Sequence, residues 1–194
     1  MPAPATAPRS SSREAFILAA AGLLRRRGYA ATGLKEIVAA SGAPRGSLYF
    51  HFPGGKEQLA AEAIARAGRE LEGAIAALLD SHDELGPGLA ALVDALAAGL
   101  ERSGYADGCP VATVALEASA SSEPVREAAE DAFARWLAAI ERRMRAAGLD
   151  PELARRRALL TLSAVEGALV LARAQRDAEP LHAVRDELLA LHRG

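Results

Sequence analysis

Apolar residues recur at helical spacing through almost the whole chain, and no stretch alternates long enough to read as a strand. The first stripe is Phe16, Ala19, Ala20, Leu23 and Leu24. Ser11 and Glu14 before it have capping-box spacing, Arg25, Arg26 and Arg27 favour the helix dipole in its last turn, and Gly28 fits a C-cap. Thr32 reads as the N-cap of a short second helix over 33–40, with Leu34, Ile37 and Val38 inward, closed by Ser41-Gly42. Pro44 suits the first position of a third helix, which Pro53-Gly54-Gly55 ends. Three helices within about forty residues, the last two joined by a very short turn, predict a helix-turn-helix. A long helix from Lys56 to Leu79 follows, carrying Leu59, Ala63, Ala67, Leu71 and Ile75 in register. Further helices are predicted over 87–102, 110–120, 123–147, 151–176 (capped by Asp150) and 180–192.

The expected fold is therefore all-α: a three-helix helix-turn-helix head and a larger helical body. The expected division is a disordered arm over 1–10, a head over 11–55 and a ligand-binding and dimerisation region over 56–194. Composition agrees, being 51% hydrophobic and 25% charged but only 4% aromatic. The charge is unevenly spread. Residues 1–56 hold eight Lys or Arg against two acids, which leaves fifteen against twenty-three beyond them. Two readings of that skew stay open, a polyanionic partner for the head or a merely solvated charged face. The single cysteine, Cys109, allows no internal disulfide, which fits a reducing compartment. The first residues have no apolar core of a signal peptide, and no apolar run is expected to reach membrane length. A cytoplasmic protein is expected, with no membrane partner.

The chemistry concentrates in residues 32–59, TGLKEIVAASGAPRGSLYFHFPGGKEQL. Ile37 and Val38 brace the third helix, Leu48, Phe50 and Phe52 are expected in the core, and Arg45, Gly46, Ser47 and Tyr49 form an exposed face. A helix of that size fits the DNA major groove. Arg45 has the geometry to bond guanine O6 and N7, Gly46 allows close approach of the backbone, and Ser47 and Tyr49 offer hydroxyls to phosphate. Lys56, at the start of the long helix, places an ammonium beside free backbone N–H groups, a phosphate grip. Lys35 and Thr32 are placed to hold the neighbouring strand. Taken singly, Arg45, Tyr49 and His51 are ordinary surface or packing residues, and only their ordered combination carries the inference.

That combination closely resembles the DNA-binding head of TetR/AcrR-type regulators: Gly28-Tyr29, Thr32, Ile37, Ser41-Gly42, Gly46-Ser47-Leu48-Tyr49, His51-Phe52, Lys56 and Leu59. With GCPVA at 108–112 it is similar to the LmrA/YxaF-like subgroup. The resemblance implies a ligand-responsive regulator, most simply a repressor that binds palindromic operator DNA as a dimer and is released by a small apolar or aromatic effector. It implies Thr32, Gly33, Lys35, Arg45, Gly46, Ser47, Tyr49, His51 and Lys56 at the DNA surface. Lys56 comes one residue later than in many family members, a spacing the subgroup shares.

The body is less informative. Tyr105, Cys109, Val111, Val114, Phe133, Trp136 and Leu137 are candidates for an effector pocket, though any one of them taken singly reads first as ordinary core packing, and Cys109 reads as a packed side chain rather than a reactive thiol. Ser163, Gly167, Val170 and Ala174 on one helix, and Leu181, Val184, Leu188 and Leu191 on the last, form two stripes that suit a four-helix bundle across a two-fold axis or packing within one subunit. No nucleophile elbow, Walker loop or dinucleotide fingerprint is present, and His51, His82, His182 and His192 have no metal-site spacing. No enzyme, cofactor or metal is expected. The competing reading is a helical small-molecule-binding dimer that does not touch DNA.

Overall fold

A computed structural model of the chain describes residues 12–192. The proposed arm over 1–10, Arg9 within it and the Ser11 cap lie outside those residues. Nine α-helices run in the order α1 Ser12–Arg27, α2 Leu34–Ser41, α3 Leu48–His51, α4 Gly55–Asp80, α5 Leu85–Arg102, α6 Pro110–Ala118, α7 Glu123–Ala146, α8 Pro151–Gln175 and α9 Glu179–Leu191, with no strand among the described residues. The all-α expectation holds, and helix ends fall within about two residues of those predicted.

Local chemistry sets the boundaries. Gly28 ends α1 in the left-handed region (φ 77°), its N–H donating to Leu24 O at 2.9 Å. The cap of α2 is Gly33, not Thr32: the Glu36 carboxylate reaches back to accept from Gly33 N–H at 3.1 Å. That bond, with the Arg27 guanidinium, holds the Glu36 carboxyl below its usual value. Thr32 is fully buried and donates to Gly28 O at 2.7 Å, so its hydroxyl fastens the α1–α2 turn. The third helix is divided, a 3-10 turn over Arg45–Ser47 leading into the single turn of α3. Asp150 caps α8 by accepting from Glu152 and Leu153 N–H at 3.1 and 3.0 Å.

One continuous apolar core runs from α1–α3 through α4 into α5–α9. Its most extensive helix pair is α4 with α7. A Cβ added to Gly68 would lie 2.7 Å from Ala132 Cβ, so glycine is what allows this approach. Beside it Trp136 Nε1 donates to Gly68 O at 2.8 Å, satisfying the buried indole. Helix α8 passes, by length and composition alone, for a membrane-crossing segment (mean hydropathy 1.3 over its most apolar stretch), which corrects the expectation that no run reaches that length. Here it packs along α7 and α9 through Ala154, Ala158, Thr161, Val165 and Ala168.

Candidate nucleic-acid interface and ligand cavity

The α2–α3 unit is held from inside and presents its polar and aromatic residues outside. Leu48 and Phe52 are buried as expected, Phe52 meeting Phe16 edge-on at 6.2 Å. Phe50 contradicts the core expectation, being 82% exposed beside Tyr49 at 65%. With a single turn in α3, successive residues fan around the axis, and Leu48 and Phe52, four apart, take the only inward-facing row. An apolar ring with no internal role is the residue that sequence reasoning missed, and the i, i+4 spacing of Leu48 and Phe52 was the signal that excluded Phe50 from the core.

Around these rings lie Lys35, Arg45 and Gly46, all exposed, with Gly33, Ser47, His51 and Lys56 partly so. A Cβ at Gly46 would meet nothing within 4 Å, so nothing inside the described protein demands glycine there. Ser47 Oγ donates to Pro44 O at 2.7 Å, which commits its proton within the chain. Lys56 Nζ stands 4.2 Å over the Tyr29 ring, a cation–π contact that fixes the ammonium at the head of α4. Burial, with the charge of Glu57, raises the Tyr29 phenol above its ordinary value.

The charge skew resolves unevenly. Arg25 and Arg26 both bond Asp107 at 3.0 Å, Arg27 bonds Glu36 at 2.7 Å, and Arg13 pairs with Glu62. Among the described residues Lys35 and Arg45 have no carboxylate partner, so the unpaired positive charge sits on the α2–α3 face rather than along α1. Thr32, sealed beneath the turn, does not contribute to that face.

The paired arginines tie head to body. Gly108 N–H donates to Arg25 O (3.2 Å), Arg173 of α8 donates to Arg26 O (3.0 Å), and Ala30 N–H donates to the Glu117 carboxylate of α6 (2.7 Å). The loop that supplies Asp107 and Gly108 also walls a cavity of about 380 Å³ between α4, α5, α7 and α8, partly open to the outside. That is a volume suited to a small organic molecule. Of the expected pocket residues, Cys109 and Trp136 line it. Tyr105, Val111, Val114, Phe133 and Leu137 do not: Val111 and Val114 are fully buried in the core, and Phe133 packs edge-on against Trp136 at 5.4 Å. The walls come instead from Leu71 and Ile75 of α4, Leu92 and Leu96 of α5, Ile140 of α7 and Leu162 and Val165 of α8. No cluster of three metal-ligating side chains occurs among the described residues.

The expected dimer stripes separate. On α8, Ser163, Gly167, Val170 and Ala174 are exposed, continuous with exposed Leu159, Leu160 and Leu171. On α9, Leu181 and Leu188 are buried and Val184 is half-buried against the same core, so that stripe packs on α5 and α8 within the subunit; only Leu191 is left at the surface.

An exposed helix-turn-helix face, carried on a helical body with a cavity between its helices, defines a helix-turn-helix regulator of transcription. The comparisons make the class specific. Residues 16–63 match the family model of bacterial regulatory proteins of the tetR family, and residues 87–187 match that of the LmrA/YxaF-like transcriptional regulator C-terminal domain. The chain is 35% identical over 170 residues to the HTH-type transcriptional regulator LmrA of Bacillus subtilis, covering 88% of this chain and 90% of that one. It is 34% identical over 185 residues to the uncharacterised regulator YxaF of the same organism, covering 95% and 97%. A TetR transcriptional regulator from Legionella pneumophila shares the fold with a TM-score of 0.81 at 24% identity, over 96% of this chain and 100% of that one. The chain belongs to the TetR family, in its LmrA/YxaF-like branch, and is a transcriptional regulator rather than an enzyme.

Proposed function

We propose that the chain is a ligand-responsive repressor, working in the cytoplasm as a homodimer on palindromic operator DNA and released by a small apolar or aromatic effector. One observation carries this reading: the loop residues Asp107 and Gly108 both wall the cavity and hold the end of α1, so one small element belongs to the ligand site and to the DNA head. In this reading residues up to 55 form the DNA head and those from 56 the effector and dimer region. Arg45 reads a base edge, Lys35 and Lys56 bind phosphates, and Gly33, Gly46, Ser47, Tyr49 and His51 complete the contact. Phe50 joins them against a thymine methyl, the one apolar group in the major groove. Ser47 must first release Pro44 O to donate to phosphate. The apolar α8 face pairs across the two-fold axis, which sets half-sites about 34–36 Å or a multiple apart.

The test is a fluorescence-anisotropy titration on DNA from upstream of the protein's own gene, against scrambled DNA, at several salt concentrations. Selective binding by two chains or a multiple is expected. Arg45→Ala should weaken operator binding by roughly 5- to 150-fold, the equivalent of about 1–3 kcal/mol, and relax preference at one position. Lys56→Ala should weaken binding to every DNA and reduce the salt slope by about 0.9 per chain. Absence of binding at low salt would favour the helical dimer that does not touch DNA.

A further inference from the structure

The cavity wall is apolar except for a few groups, and most of the charged ones are acidic. Three carboxylates line it, Glu70, Asp107 and Glu166, against one guanidinium, Arg25. Arg25 and Asp107 satisfy each other at 3.0 Å, and Glu70 accepts from Arg66 Nε at 2.7 Å. Glu166 has no such partner. Among the described residues it makes no ion pair, and the Cys109 thiol beside it is the one group that favours its charged form. Arg173, two turns along α8, is engaged with Arg26 O. Burial pushes the Glu166 carboxyl up from its ordinary value, the mark of a charge that lacks compensation. A second group is orphaned at the same wall: Thr161 is 1% exposed, and its hydroxyl has no hydrogen-bond partner.

Resting on the cavity being the effector site, we infer that the effector is an apolar or aromatic amine, bound in its protonated form with its ammonium on Glu166. An anionic ligand would meet an unopposed carboxylate. A neutral alcohol or phenol brings one donor per hydroxyl, whereas an ammonium brings three, so it can give the Glu166 carboxylate more than one bond. The ammonium also supplies the opposite charge, and hydrogen bonds between ionised partners are about twice as strong as neutral ones. The apolar remainder of the ligand fills the space between Leu71, Ile75, Leu92 and Trp136.

Trp136 is the chain's only tryptophan and lines the cavity, so its fluorescence reports occupancy directly. The full chain is titrated at neutral pH with three probes of one shape: phenylhexylamine, phenylhexanol and phenylhexanoate. The amine should bind about tenfold or more tighter than the alcohol, and the carboxylate most weakly. In Glu166→Gln the amine should fall to the level of the alcohol, whose own affinity stays within about twofold. Equal binding of amine and alcohol by the wild-type chain, which needs no variant to fold, overturns the assignment while leaving the cavity as the effector site. An amine preference that survives Glu166→Gln overturns the role of Glu166. If none of the three perturbs Trp136, the cavity reading fails together with the inference.

Discussion

Replacing Gly28 by alanine should loosen the head from the body, and the cost can be worked from two separate sources. Gly28 sits at φ 77°, where a Cβ costs about 1–2 kcal/mol. That Cβ would also lie 1.9 Å from Glu117 Oε1, so the carboxylate must swing away and give up its 2.7 Å bond to Ala30 N–H. The bond is solvent-exposed and worth about 1 kcal/mol. Gly28→Ala should therefore cost about 2–3 kcal/mol, or roughly 4–12 °C in Tm for a chain of this size. Glu117→Ala alone should cost about 1 kcal/mol. Because the second loss is common to both, the double variant should cost about 1 kcal/mol less than the sum. Urea denaturation of the four proteins at one fixed concentration measures the cycle, fixed because a dimer's stability depends on it. Strict additivity would refute the reasoning, since it would mean that the Gly28 substitution leaves the Glu117–Ala30 contact untouched.

Two further outcomes follow from burial. Val170, 60% exposed on the apolar α8 face, should tolerate Val170→Asp in the monomer yet break the proposed dimer; size-exclusion chromatography with light scattering should show monomer, and an unchanged dimer would place the two-fold interface elsewhere. Cys109 is pushed well above its ordinary pKa, first by burial and then by Glu166. Iodoacetamide at pH 8 should then alkylate it at least about tenfold more slowly in the native than in the urea-unfolded chain, because the thiolate is the reacting form. The sign for stability is the same: a thiol whose folded pKa is raised favours the fold below its unfolded pKa, and that contribution is lost as pH rises above it. Equal alkylation rates would contradict the burial.

What the sequence made legible was what local spacing encodes. Leu48 and Phe52 point inward because the turn and the helix period leave them no other place, and the caps at Gly28 and Asp150 follow from residue type alone. Thr32 was misread because a threonine ahead of a helix suits a cap, while the fold uses Gly33 there and turns the hydroxyl back onto Gly28 O. The cavity was mostly illegible for a different reason. Its walls are core stripes of α4 and α5, and a stripe that lines a space has the same period as one that fills it. Only the pairing of α4 with α7, fixed by Gly68 and Trp136 far apart in sequence, leaves the gap beside Leu71 and Ile75. The α9 leucines illustrate the converse, since Leu181 and Leu188 look like an interface but are consumed by α5 and α8.

The glycine contact between α4 and α7 also has a mechanical side. With Gly68 pressed against Ala132 and its carbonyl tied to the Trp136 indole, α4 is pinned near its middle. Any tilt that keeps this contact turns the helix as a lever about Gly68. At 1.5 Å of rise per residue the head end at Gly55 lies about 20 Å from the fulcrum, whereas Leu71 and Ile75 at the cavity wall lie only about 5 and 10 Å beyond it. A push on the cavity side thus reaches the head end reversed in direction and enlarged about two- to fourfold, so a rigid helix held at Gly68 gears a small adjustment at the cavity wall into a larger one at the head.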